Sequence, residues 1–281
     1  MNPSLEKSYQ NCLSLARKHY ENFPVASLLI PKRKHIAAVY AFARIADDIS
    51  DESHFNCETR LEMLNEYLCN FLDKKDDPRY PHFLAVFDTI EKNKLSLDNF
   101  IKLIEAFIQD NQKFYYDNWD ELLDYCKKSA NPIGRIILEL FSIREENILN
   151  LSDKICSALQ LTNFWQDLKI DLTRNRCYIP LELLRANGIE IKQIKMNNLN
   201  IDSLLCDVIS ECVIFTERLF DEGKKILNYL SGLFKFEIKL SILGGEEILN
   251  KIKALNYNTI QTRPVLNKLD WLKIFIRSFN G

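Results

Sequence analysis

Glycine and proline are scarce, 7 and 8 in a chain of 281 residues. With 47% apolar residues this excludes collagen-like, low-complexity and largely disordered chains, because enough apolar surface exists to offset the entropy of ordering. An excess of either charge is also missing: 37 Lys and Arg stand against 39 Asp and Glu, a formal net charge of -2. The basic side chains are scattered among acids, so no stripe is available to nucleic acid, and none is expected as a partner. No stretch approaches 18 uninterrupted apolar residues; the richest, Ile36 to Ala46, is broken by Arg44. The first residues, Met1 to Lys18, have neither an apolar core nor a small-residue cleavage site, so a signal peptide is not expected and a cytoplasmic location is. The 8 cysteines contain no C-x-x-C pair and read as reduced, buried thiols. The 4 histidines show no metal-ligand spacing. No G-x-G-x-x-G follows a strand, Gly244-Gly245 being the lone glycine pair, so NADPH is not expected as a cofactor.

Strand signals are nearly absent, since no Asn-Gly or Asp-Gly turn separates alternating apolar runs. Apolar residues recur at helical spacing instead. They predict helices over about Pro3 to Glu21, Lys32 to Ser50, Glu58 to Leu72, Pro81 to Glu91, Leu97 to Gln109 and Trp119 to Lys128. Further helices are predicted over Pro132 to Asn147, Ser152 to Leu172, Leu183 to Ala186, Asp202 to Leu230, Phe236 to Lys253 and Val265 to Phe279. The long irregular stretch, Asn175 to Asn200, lies between helices whose apolar faces need partners. The expectation is a single all-α domain over residues 1–281.

Chemistry enters at Arg44-Ile-Ala-Asp47-Asp48-Ile-Ser-Asp51. Residues four apart on a helix lie about 40° apart, so Asp47 and Asp51 project together with Arg44 one turn earlier. Alone, such a pair is an ordinary solvated helix end. A second stripe changes the reading: Gln160, Asn163, Asp167 and Asp171 follow steps of three, four and four through Leu161, Phe164, Trp165 and Leu168. Carboxylates crossing greasy helices are costly unless something cationic sits between them. Oxygen donors without convergent His or Cys suit a hard cation, so the two acidic stripes point to a Mg²⁺-diphosphate site.

Several segments carry a resemblance over most of the chain: Asn22-Phe-Pro-Val-Ala-Ser27, Tyr40-Ala-Phe-Ala-Arg44, Asp47-Asp-Ile-Ser-Asp51, Tyr125-Cys-Lys-Lys-Ser-Ala-Asn-Pro-Ile-Gly134 and Gln160 through Pro180. They resemble the squalene and phytoene synthases. With Thr262-Arg263-Pro264 and Asn163-Phe-Trp-Gln-Asp167, they look most like the hydroxysqualene synthase branch of bacterial hopanoid pathways. Other branches carry a serine-containing stretch where Tyr20-Glu-Asn-Phe23 stands here, which bears on the first substrate contacts.

The resemblance implies an isoprenoid synthase fold, helices around a central pocket, and two or three Mg²⁺ ions with the diphosphate. By the same resemblance Asp47, Asp48 and Asp51 would hold metal from one wall and Asn163, Asp167 and Asp171 from the other, with Asp47, Asp51, Asp167 and Asp171 the catalytic acids. Phe23, Tyr40, Arg44, Gln160 and Gln166 would meet substrate. Arg174, Arg176 and Tyr178 would contact the leaving diphosphate or else cap a helix C-terminus, where cations are favoured. Phe23, Tyr40, Phe42, Phe164 and Trp165 either face a carbocation or are core. The implied reaction ionises presqualene diphosphate and traps the rearranged cation with water as hydroxysqualene, without reduction. Two alternatives stay open: condensation of two farnesyl or geranylgeranyl diphosphates, and an inactive relative serving as an assembly factor. A presqualene diphosphate synthase and a reductase would be functional partners. The apolar helix at Trp271 to Phe279 is either core or an attachment to the inner face of the membrane.

Overall fold

The computed structural model describes residues 3–18, 32–75, 77–195 and 202–279. Phe23, the Asn22 to Ser27 segment and the end of the first predicted helix lie outside the described residues. In chain order the helices are α1 (Pro3–Lys18), α2 (Arg33–Asp51), α3 (Cys57–Leu72), α4 (Phe83–Asn93), α5 (Leu97–Asp110), α6 (Trp119–Ser129) and α7 (Asn131–Leu140). They continue with α8 (Glu146–Gln166), α9 (Leu168–Thr173), α10 (Leu181–Ala186), α11 (Ile191–Lys195), α12 (Asp202–Gly223), α13 (Gly232–Ala254) and α14 (Lys268–Phe279). Among the described residues there is no strand, only an isolated bridge between Tyr115 and Cys177. The all-α expectation is met.

The chain divides into two compact units, Met1–Gln112 with Pro132–Leu149, and Lys113–Asn131 with Asn150–Gly281. In the first, α2 packs against α1, α3, α4 and α5. It can do so because its first half is buried nearly all round: Ile36, Ala37, Ala38, Val39, Ala41 and Phe42 are core, and the three alanines let neighbouring helices approach closely. Phe42 anchors the contact, its ring 4.8 Å from Phe71, 5.2 Å from Phe100 and 5.4 Å from Tyr67. Two tyrosine hydroxyls in this core are paired. The Tyr67 hydroxyl donates to the Phe42 carbonyl at 3.1 Å and lies 2.7 Å from His82 Nε2. The Tyr9 hydroxyl donates to Asp88 at 2.7 Å, with His35 and Thr89 beside it, tying α1 to α2 and α4.

In the second unit α12, α13 and α14 pack in succession. Gly245 explains half of one sequence oddity: a Cβ there would lie 2.7 Å from Phe220 Cζ and 2.8 Å from Leu159 Cδ2, so this glycine serves close helix packing. The irregular stretch after Asn175 is fastened by backbone bonds, Cys177 N donating to Phe114 O and Leu181 N to Tyr116 O, both at 2.9 Å.

Some boundaries depart from the periodicity. The predicted Pro132 to Asn147 helix stops at Leu140, where Ser142 turns left-handed (φ 63°) and Ile143 N closes onto Leu138 O, a cap the apolar pattern does not record. The next predicted helix therefore begins earlier, at Glu146, and it breaks at Asp167. The predicted Asp202 to Leu230 helix tightens after Gly223 into a 3-10 turn, Lys224–Asn228. Cys12, Cys126, Cys177 and Cys212 are buried, as expected, whereas Cys57 and Cys69 are exposed.

The buried histidines make stability pH-dependent. Burial holds the His82 and His35 imidazoles down at about 4 in the folded chain, against 6.5 for an unperturbed ring. Between those values the unfolded state binds more protons, so folding should lose stability as pH falls from about 6.5 toward 4. Urea midpoints measured across that range should drop, and a His82→Gln variant should show a shallower drop than the parent. An equal slope in both chains would exclude His82 as a source.

Candidate active site

The first group of predicted site residues sits where α2 emerges from the core. After Phe42 the helix changes character: Arg44 and Asp47 are half-buried, while Asp48 and Asp51 are exposed. Arg44 reaches both of its nearer acids, Nη2 to Asp48 Oδ1 at 2.7 Å and Nη1 to Asp47 Oδ2 at 3.4 Å. Burial alone would lower the Arg44 guanidinium, but the hydrogen bond to Asp48 and the charges of Asp48 and Asp47 outweigh it and hold it above the ordinary arginine value. The Nε of Arg44 is buried with no hydrogen-bond partner among the described residues. Tyr40, one turn back, has its hydroxyl pushed up by burial, with Arg44 opposing.

Helix electrostatics make this cluster costly. A helix C-terminus carries the negative end of the macrodipole and favours cations. Here Asp47, Asp48 and Asp51 occupy the end of α2, Glu52 caps it, and the last turn contains no basic residue. Local physics argues against that placement, and such conflicts concentrate at functional sites.

The second group lies in the other unit. Gln160 and Asn163 are on α8, Asp167 stands alone between α8 and α9, and Asp171 is on α9. The predicted stripe assumed an uninterrupted helix; the helix breaks at Asp167. The break is mild, because Asp167 N still donates to Asn163 O at 2.8 Å and Asp171 N to Asp167 O at 3.0 Å. Asn163 is open and Gln160, Asp167 and Asp171 are half-buried, while Phe164, Trp165 and Leu168, on other faces, are core.

Trp165 donates Nε1–H to Thr216 at 2.9 Å and is fully buried, as Phe42 is in the first unit; both rings are core. Tyr178 is buried too, its ring stacked on Phe164 with centroids 3.7 Å apart and planes 5° off parallel. Arg174 is exposed and its backbone N–H closes the end of α9 on Asp171 O at 3.0 Å, while Arg176 is half-buried. Gln166 is buried, and its amide donates to the Pro264 carbonyl at 2.7 Å.

That bond positions a residue to which sequence reasoning assigned no role. Arg263, next to Pro264, forms an ion pair with Asp167, its Nε on Oδ1 and its Nη2 3.2 Å from Oδ2, a bidentate arrangement. The pairing with Asp167 raises the guanidinium above its ordinary value against the pull of burial. The Thr262-Arg263-Pro264 motif was the available signal, but no helical period links it to Asp167. Arg135, also without an assigned role, pairs with Glu146 at 3.1 Å within the first unit.

The donors are all oxygen: five aspartates and an asparagine, spread over α2 in one unit and over α8, the break and α9 in the other. Among the described residues no three His, Cys, Asp or Glu side chains form a metal-holding group by themselves. Oxygen donors few in number and open to solvent fit Mg²⁺, which keeps waters and shares its shell with substrate phosphates.

The fold defines the class: an all-α isoprenoid synthase. A crystal structure of squalene synthase HpnC from Alicyclobacillus acidocaldarius is 35% identical, matches with a TM-score of 0.82, and covers 92% of this chain and 97% of that one. A dehydrosqualene synthase structure shares the fold at 19% identity with a TM-score of 0.80. The squalene/phytoene synthase family model matches residues 16–270, so the chain belongs to the squalene/phytoene synthase family and is an enzyme of isoprenoid biosynthesis. Hydroxysqualene synthase of Sinorhizobium fredii is 30% identical over 237 residues, 83% of this chain and 80% of that one. Hydroxysqualene synthase of Zymomonas mobilis is 36% identical over 173 residues, 60% of this chain and 57% of that one.

Gln166→Leu removes the donor to the Pro264 carbonyl and leaves that carbonyl buried without its partner. It should lower stability by about 1–3 kcal/mol in urea denaturation. A variant as stable as the parent would show that the bond does not hold the Arg263 segment.

Proposed function

We propose that the protein converts presqualene diphosphate and water to hydroxysqualene and diphosphate. The observation that supports this most directly is that each unit presents carboxylates with an arginine seated on them, Arg44 on Asp47 and Asp48 at the C-terminal end of α2, Arg263 on Asp167. The similarity to hydroxysqualene synthases at 30% and 36% identity favours this branch of the family.

In this reading Asp47, Asp48, Asp51, Asn163, Asp167 and Asp171 are the residues that would hold Mg²⁺ with the diphosphate. When bound, the metal neutralises charge on the departing diphosphate and so lowers the barrier to ionisation. Arg44 supplies fixed positive charge to the same leaving group, through the N–H groups not spent on Asp47 and Asp48. Tyr40, whose hydroxyl is held protonated by burial, offers a neutral donor beside Arg44. The C–O bond to diphosphate breaks with its electron pair leaving on oxygen, and water adds to the rearranged carbocation with loss of one proton. The substrate must be supplied by a head-to-head prenyl coupling, and the alcohol consumed by a reductive step.

Purified protein with Mg²⁺ and presqualene diphosphate, without NADPH, should release diphosphate and give a C30 alcohol in the lipid extract. Asp47→Asn and Asp167→Asn should each cut turnover by about 10²–10³-fold with unchanged helicity, the cost of weakening the cationic stabilisation of the developing charge. Turnover of farnesyl or geranylgeranyl diphosphate alone, with none of presqualene diphosphate, would replace this reading with prenyl condensation.

A further inference from the structure

Helix α14 is turned inside out. Its buried residues are Asp270, Ile274 and Ser278, while Leu269 is 67% exposed, Leu272 55%, Phe275 49%, Ile276 54% and Phe279 66%. Those five recur at i, i+3, i+6, i+7 and i+10, one continuous stripe of the helix, and the stripe faces solvent. The inversion is built in. Asp270 is fixed inward by Lys251 Nζ at 2.7 Å and accepts the Asn267 N–H at 2.7 Å, so the polar side of the helix is the docked side. The stripe extends onto α13, where Phe236 lies 5.9 Å from Phe275 and 5.3 Å from Phe279, with Phe275 and Phe279 4.9 Å apart. Isolated exposed apolar residues are ordinary; a contiguous patch of Leu, Ile and Phe marks an interaction surface.

The charge around the patch selects the occupant. Lys268, Lys273 and Arg277 are exposed on α14, and the single acid of the helix, Asp270, is buried and already neutralised by Lys251. Arg277 is loosely balanced by Glu246 at 3.8 Å and Glu247 at 3.6 Å on α13, leaving Lys268 and Lys273 as the exposed cations of the patch. A second copy docked through the same patch would set lysines against lysines, since a two-fold contact is self-complementary. An anionic lipid surface meets both demands, hydrocarbon for the stripe and negative headgroups for its edge. We infer that the exposed stripe of α14, with Phe236, docks on an anionic bilayer and seats the protein there as a peripheral protein. The surface is independent of the reaction proposed above, and all but the first three residues of α14 lie beyond the stretch matched by the family model, residues 16–270.

The test is flotation of the whole protein with vesicles of phosphatidylcholine alone or containing phosphatidylglycerol. Wild type should float with the anionic vesicles, more weakly with neutral ones, and less as salt is raised. Leu272→Ser with Phe279→Ser should reduce bound protein at least tenfold, and Lys268→Glu with Lys273→Glu should abolish the preference for anionic lipid. Both double variants change exposed side chains, so helicity and turnover of detergent-dispersed substrate should match wild type. Failure of wild type to float with either vesicle overturns the inference, and so does equal binding to both. A dimer dissolved by the serine variant in the absence of vesicle binding would assign the patch to a second copy instead.

Discussion

Carboxylates at the C-terminal end of a helix face its negative pole and one another, and α2 carries three there with an acidic cap behind them. Like charges so arranged are tolerated only if a cation is near. In the first unit Arg44 fills that need, bonded to Asp48 and close to Asp47. An arginine bound to two carboxylates is an internal counter-ion, and it leaves the cluster open to further positive charge. The rest of α2 has to absorb the cost. Its first half does so by being buried on nearly every side, with alanines where other helices press in and Phe42 at the centre of the aromatic shell. Packing holds the helix in place while its last turn is electrostatically unfavourable.

The second unit also sets an arginine on its acids, by different means. Its acids follow a helix that breaks at Asp167, and the break keeps the backbone bonds on either side. The counter-ion, Arg263, comes from 96 residues away, delivered by a segment that Gln166 fastens through the Pro264 carbonyl. Adjacent side chains therefore divide the work: Gln166 is buried and positions the segment, and Asp167 is half-exposed and takes the charge. Nearby, Phe164 and Tyr178 stack to close the aromatic side of the same helix.

Periodicity made the helices legible, because an apolar stripe every 3.6 residues is a property of neighbours in sequence. The acidic stripes were legible for the same reason, Asp47 and Asp51 by one turn, and Gln160, Asn163, Asp167 and Asp171 by successive turns. Contacts between distant segments leave no such trace. Arg263 could be marked by its motif but not assigned to Asp167. The stops at Leu140 and Gly223 depend on a left-handed serine and on a tightened turn, neither of which apolar periodicity records. Gln166 and Tyr178 could be named from the motif, yet only coordinates show one spent on a backbone carbonyl and the other on a ring stack.

Helix α14 shows the limit of that legibility most directly. Its sequence contains an apolar stripe and a polar one, and the ordinary rule turns the apolar stripe inward. What reverses it is a single long-range pair, Asp270 on Lys251, together with Ile274 as the buried apolar residue on that side. A buried carboxylate that is paired and hydrogen-bonded resists being pulled back into water, because separating it would strand a charge on both helices. Rotating α14 to hide Leu272, Phe275 and Phe279 would do that. The exposed stripe is thus held outward by the same electrostatic logic that governs α2: an ion pair fixes the orientation, and the surface left unsatisfied is the one that takes a partner.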